Sequence, residues 1–355
     1  MEIRFATNDD LAPLMRFIDK HWARGHVLST SRSLMEWQHR GTDGRDYDYV
    51  IASEGDELLG VLGFIATSRF DPELASARTV WLALWKVRAD APNGTGLRML
   101  TFLSKSVPHE ALGTVGINAE VAKLYRALGY SVGSTRQRYT LHPARDDFSI
   151  VRVPPGAPRI ASDCDLADAP RLRALDARGL RALGPLFARE WPEGAVPRKS
   201  ARFFESRYLA HPFYRYEVHA VEREGEVCGL IATRLCEAAG SRSIRVVDGF
   251  LPPVALPGLA GALQRLLVER DAECADLFEH GLDGSAMARS GLLAVDPADG
   301  ETVIPNYYEP LAQRNVRVDF AYRLRAGQRL IVFKADADQD RPNRIEEPCT
   351  TAARS

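Results

Sequence analysis

Cysteine is scarce and scattered in this chain. Cys164, Cys228, Cys236, Cys274 and Cys349 are odd in number and form no close pair, so neither a disulfide framework nor a zinc site is implied. The eight histidines do not restore a metal reading, because none stands four residues from another on a helical stretch or beside a cysteine pair. No metal is expected. Charge excess is also missing: 46 Lys and Arg stand against 47 Asp and Glu, which leaves no basic field to hold nucleic acid or an anionic membrane. Neither is an expected partner. No apolar run reaches the roughly 18 residues of a membrane span, and Met1-Glu2-Ile3-Arg4-Phe5 lacks the regions of a signal peptide. A cytoplasmic location is expected.

What is present is an ordinary globular composition, 45% hydrophobic and 26% charged. The 355 residues exceed what one core organises, and roughly 100–200 residues per domain predicts two domains. Residues 142–158 hold Pro143, Pro154, Pro155 and Pro158, which is linker composition. The expected division is 1–145, a linker at 146–160, a second domain at 161–335 and a C-terminal segment at 336–355 with a flexible end.

Within the first domain, Tyr49 to Ala52 and Leu58 to Ile65 read as a hairpin around Glu54-Gly55-Asp56-Glu57. Val80 to Val87 is apolar on both faces and reads as the central strand. Gly94-Thr95-Gly96 follows it and opens a helix with Leu97, Leu100 and Leu103 along one side. A helix N-terminus after a strand offers unpaired N–H groups to a phosphate, and glycine lets the phosphate come close. Val115 to Asn118 then reads as a strand and Ala119 to Leu128 as a helix closed by Gly129.

The string Asn118-x-x-x-Ala122-x-Leu124-Tyr125-x-x-Leu128-Gly129-Tyr130, following the glycine loop at this distance, resembles the acceptor-side motif of the GNAT superfamily of N-acyltransferases. The resemblance covers about residues 1–141. It implies an acyl-CoA cosubstrate whose pantetheine arm pairs along Trp85, Lys86 and Val87 and whose pyrophosphate lies on Gly94, Thr95, Gly96 and Leu97. It further implies that Tyr125 protonates the leaving sulfur. Asn118 either orients CoA or caps its helix. The base is open among Glu120, His21 and His26, or a water relay. The family's usual Arg or Gln three residues before the first glycine is Ala91 here, which Arg88 or Arg98 would have to offset.

In the second half, Glu217 to Val221 and Glu226 to Ala232 repeat the earlier hairpin, and Ile244 to Leu251 leads to an amphipathic helix at Leu259 to Glu273 without a glycine loop. The fold class implied is α/β (α+β), tandem GNAT folds, each a mixed and mostly antiparallel sheet flanked by helices. The second copy is read as degenerate and as binding the acceptor. Its phrases Arg207 to Tyr214, Asn306 to Pro310 and Phe333 to Asn343 resemble bacterial two-domain GNAT proteins that acylate nucleotide-linked amino sugars. On that reading His211, Tyr214, Tyr307, Lys334, Arg341 and Asn343 bind the acceptor. Asp336, Asp338 and Asp340 pair with an ammonium or a ribose. Alternatives are an antibiotic, amino-acid or peptide amine as acceptor, or a silent acyl-CoA sensor. A homodimer is compatible with the sequence.

Overall fold

A computed structural model of the chain describes residues 1–161, 169–343 and 345, so Cys164 and Cys349 lie outside the described residues. The first half supplies β1 (Glu2–Phe5), β2 (Tyr49–Glu54), β3 (Glu57–Ala66), β4 (Thr79–Val87), β5 (Ala111–Ile117), β6 (Ser131–Ser134) and β7 (Arg136–Leu141). The second supplies β8 (Arg171–Leu175), β9 (Ala195–Val196), β10 (Tyr216–Arg223), β11 (Glu226–Ala238), β12 (Ser241–Phe250) and β13 (Cys274–His280). Six short strands follow: β14 (Leu293–Ala294), β15 (Tyr307–Tyr308), β16 (Leu311–Ala312), β17 (Asp319–Leu324), β18 (Arg329–Leu330) and β19 (Val332–Phe333).

Two large sheets result, ordered β1-β2-β3-β4-β5-β17-β6 and β14-β7-β13-β12-β11-β10-β8. Both are mostly antiparallel, with one parallel pair in each, β4 with β5 and β12 with β13. This is the mixed, helix-flanked architecture anticipated from the sequence. Alternation along the strands sorts the core of the first sheet: Val50, Leu62 and Leu82 face the helices Thr95–Ser106 and Ala119–Ala127, while Ile51, Val61 and Leu84 face the N-terminal helices. Among the described residues no helix is long and apolar enough to cross a membrane.

Strand membership cuts across the sequence division. β7 leaves the first half and pairs with β13 from Cys274 to Glu279, while β17 leaves the second half and lies between β5 and β6. Each half therefore completes the other's sheet. The 146–160 stretch is packed rather than loose, because the buried Glu273 carboxylate accepts the backbone N–H groups of Ser149, Ile150 and Val151 at 2.6, 2.9 and 3.2 Å. Proline content there reflects turns, not slack.

Candidate active site

β4 runs parallel to β5 only where Thr79 to Leu82 face Ala111 to Thr114. Just beyond, the register of β3 on β4 jumps from Phe64 opposite Leu82 to Leu62 opposite Trp85, so Ala83 and Leu84 together oppose Gly63. Such a bulge bends the strand. β4 diverges from β5 and leaves a cleft of about 620 Å³ lined by Trp85 and Val87 on one wall, Asn118 and Tyr125 on the other, and Gly96 and Leu97 at the helix start.

The two glycines have separate tasks. Gly94 caps the helix at φ 80, where a side chain is strained. A Cβ on Gly96 would lie 3.2 and 3.3 Å from Cζ2 and Nε1 of Trp85, so its absence lets the helix approach the cleft wall. Thr95 N and Arg98 N donate to Pro92 and Gly94 carbonyls, whereas Gly96 N and Leu97 N have no acceptor among the described residues. Those two groups, with the positive end of the helix, suit a phosphate. Thr95 itself is buried and donates to Pro92 O at 2.6 Å. Lys86 alternates away from the cleft and does not line it. Arg88 is bound to Asp90 at 2.5 Å and Glu57 at 2.9 Å, whereas Arg98 is exposed on the first helical turn.

Tyr125 is 2% exposed, with its ring edge-on to Trp85 at 6.2 Å. Burial, with Tyr130 alongside, raises its phenol above the ordinary value, so it carries its proton at neutral pH. Asn118 caps its helix by accepting Val121 N at 2.9 Å while also lining the cleft. Glu120 does not belong to the site: its side chain is 80% exposed and paired with Lys123 at 2.8 Å. His21 packs its ring at a tilt against Phe17 at 4.8 Å and does not line the cleft. His26 lies 2.9 Å from Arg341, and burial followed by that charge lowers its pKa to about 4, so its ring is neutral.

A second, polar chamber of about 210 Å³ meets the cleft at Gly116, Asp338, Gln339 and Arg341. Gly116 stands at φ 85 in a bulge of β5, and a Cβ there would overlap the Gln339 amide at 2.4 Å. Gln339 crosses above it to donate to Val115 O at 3.1 Å. Tyr214, Tyr307, Lys334, Arg341 and Asn343 all line this chamber. His211 does not. Its Nδ1 accepts Phe213 N and Tyr214 N at 3.1 and 2.9 Å, and burial followed by Arg207 lowers its pKa to about 3. It is a neutral turn-former behind Tyr214.

The aspartates divide in the same way. Asp336 accepts from Lys199 at 3.1 Å and from Phe333 N at 2.9 Å. Asp340 is buried, yet Arg234 at 2.9 and 3.2 Å holds it well below the usual carboxylate range, and Tyr216 donates to it at 2.8 Å. Only Asp338 stands at the junction of cleft and chamber, with Arg341 Nε at 3.2 Å. Sequence reasoning missed Arg234, Arg245 and Asn306 in the chamber wall. A signal existed for the first two, since each arginine interrupts a strand that is otherwise largely apolar, Leu230 to Leu235 and Ile244 to Val247. An outer vestibule of about 490 Å³ adjoins the chamber through Tyr214, Arg234 and Glu309.

No family model and no curated protein matches the chain. Among solved structures it is similar to a GCN5-related N-acetyltransferase from Anabaena variabilis, with a TM-score of 0.54 at 10% identity over 91% of this chain and 72% of that one. It is also similar to a conserved protein of unknown function from Enterococcus faecalis termed a probable N-acyltransferase, with a TM-score of 0.51 at 10% identity over 91% and 72%. At such identities the likeness is one of fold.

Proposed function

We propose that the chain is an acyl-CoA-dependent N-acyltransferase that acylates a small polar amine. The observation that carries this reading is the meeting of two unlike cavities at Gly116: an apolar-walled cleft ending on a free helix N-terminus, and a polar chamber rich in buried charge. The cleft suits pantetheine along Trp85 and Val87 with the pyrophosphate on Gly96 and Leu97. Both solved structures of similar fold carry acyltransferase names, one of them qualified as probable, which supports the same chemistry.

In this reading the acceptor's ammonium loses a proton toward the carboxylate of Asp338, and the neutral amine attacks the thioester carbon. The C–N bond forms, the carbonyl oxygen takes the negative charge, and the C–S bond then breaks. Tyr125 gives its proton to the departing sulfur, the attacking nitrogen gives up its second proton, and that proton restores the phenol through solvent, yielding an amide and free CoA thiol. Holding both reactants at one junction supplies much of the rate. The acyl group is acetyl or a short hydroxyacyl. The finer acceptor assignment, a nucleotide-linked amino sugar for surface polysaccharide, gains support from the vestibule, where Arg215 and Arg270 stand outside the chamber and Arg234 joins the two.

The test is thiol release from acetyl-CoA and 3-hydroxybutyryl-CoA against amino acids, amino-sugar phosphates, sugar nucleotides and aminoglycosides. Release with at least one amine is expected. Silence with the whole panel overturns the acyltransferase reading.

A further inference from the structure

The cations around the chamber are not equally matched. Arg234 is bidentate on Asp340, and Arg245 is bidentate on Asp276 at 2.9 and 2.8 Å while also donating to the carbonyls of Pro305 and Asn306 at 2.8 and 2.7 Å. Arg341 has Asp338. Lys334 is 3% exposed, and its ammonium has no hydrogen-bond acceptor or ion-pair partner among the described residues. Aromatic rings lie nearby, Phe278 at 5.5 Å and Tyr307 at 5.9 Å.

In the same chamber wall, Asn306 is 2% exposed, and both Nδ2 and Oδ1 are buried without partners among the described residues. The clamp of Arg245 on the carbonyls of Pro305 and Asn306 holds the backbone that carries that side chain. A buried ammonium and a buried amide left unsatisfied are each costly, and both costs fall if one oxyanion accepts from the two donors. Nearby carboxylates do not serve, because Asp276 is taken by Arg245 and Gln137, and Asp340 by Arg234 and Tyr216.

We propose that Lys334 and Asn306 form a subsite for an oxyanion, a carboxylate or a phosphate, carried by the molecule that occupies the chamber. Its identification with the acceptor rests on the acyltransferase reading; the anion site itself does not. The acceptor is then an amine with its ammonium at Asp338 and its oxyanion at Lys334. A polycationic aminoglycoside is disfavoured, since it would set ammonium groups against Lys334, Arg234 and Arg245.

Proton linkage gives the subsite a signature. Burial, then Arg245 and Arg234, pull the Lys334 ammonium down to about 7 against the opposing pull of Asp340 and Asp276; Glu309, Asp338 and Arg341 also face the chamber. A bound oxyanion favours the charged form, so binding takes up a proton and weakens as pH rises through neutrality.

The experiment titrates the full chain, with its cleft saturated by CoA, with acetate, inorganic phosphate and neutral acetamide at pH 6.5 and 8.5. Acetate or phosphate should bind about tenfold more weakly at the higher pH, with buffer-dependent heat showing proton uptake. Acetamide should not bind comparably. Lys334→Gln should lose the interaction, while Lys334→Arg keeps it without the pH dependence. Asn306→Asp, which places a carboxylate in the same chamber wall, should abolish it in a folded protein. Which anion binds more tightly separates a carboxylate acceptor from a phosphorylated one. Equal affinity in wild type and Lys334→Gln, or equal binding of acetamide, overturns the subsite. Lys334-dependent binding without thiol release from any amine keeps the subsite and removes the acyltransferase.

Discussion

The molecule contains the same strand, glycine and helix unit twice, and the two copies have opposite fates. In both, a bulge ends the parallel pairing, after Leu82 in β4 and after Val246 in β12. In both, a left-handed glycine caps the helix, Gly94 at φ 80 and Gly258 at φ 66. The second unit therefore has the glycine that its sequence was read as lacking. What differs is occupancy by the chain itself. Gly258 N and Ala260 N donate to the carbonyls of Arg289 and Ser290 at 2.9 Å, and β19 enters the gap, pairing with Glu279 and His280 while Ala335 N donates to Val247 O at 2.8 Å. Among the described residues the first copy has no such backbone contact at its helix end, and no strand enters its cleft, where Gln339 reaches only Val115 O. Divergent strands and an open helix end make a site only where the protein does not satisfy them internally.

The same C-terminal segment closes one unit and furnishes the other. Phe333 and Ala335 are buried in the second sheet's cores, and four positions after Lys334 the chain reaches Asp338 at the first unit's junction. The buried Lys199, held by Asp248 at 2.6 Å and Asp336 at 3.1 Å, fixes the bend between them.

The sharpest way to break this comparison is Gly96→Val. The added side chain meets Trp85 where CoA should lie, and CoA affinity should fall roughly 100-fold by calorimetry. Gly258→Ala strains a left-handed position by about 1 kcal/mol and should leave CoA affinity unchanged, since its helix end is already filled. Next in size, Tyr125→Phe should lower kcat about 100-fold while CoA affinity holds. An unchanged kcat removes Tyr125 as the acid.

Phe333→Ala probes the plug of the second unit. Truncating a buried phenylalanine should cost about 3–5 kcal/mol in chemical denaturation, and loosening Lys334 to Arg341 should also lower acyl transfer. A second CoA site appearing in that variant would show that the plug alone separates the two copies. Lys334→Met sharpens the charge difference. The lysine's folded pKa lies below its unfolded one, so its penalty is full below about pH 7 and fades as pH rises toward 10.5. The variant should be more stable by on the order of 3 kcal/mol at pH 6.5, with the gain shrinking at pH 10. Smallest of all, Glu120→Gln should leave the rate within about twofold, because an exposed pair with Lys123 contributes little.

Local pattern made much of the first unit legible. The apolar run at Val80 to Val87, the glycines after it and the Asn118 to Tyr130 string lie where the cleft forms, and Asn118 and Tyr125 face it together. Glu120 sits among them in sequence, yet helical periodicity turns it to water. His211 looked like a ligand-binding histidine, but its ring nitrogen is consumed by the turn it stabilises. Asn306 opened the phrase Asn306 to Pro310, yet its unpartnered amide was not legible there, because lack of a partner is defined by neighbours remote in sequence.

The sequence by itself determined the main strands and helices of both halves and their order, since hydrophobic period, caps and glycines act over a few residues. It also determined the two positions where a helix starts behind an apolar strand. Only the tertiary structure decided which of the two is open. That choice rests on long-range pairing of β7, β17 and β19 and on which backbone groups find partners within the chain, and local periodicity does not specify partners so far apart in sequence.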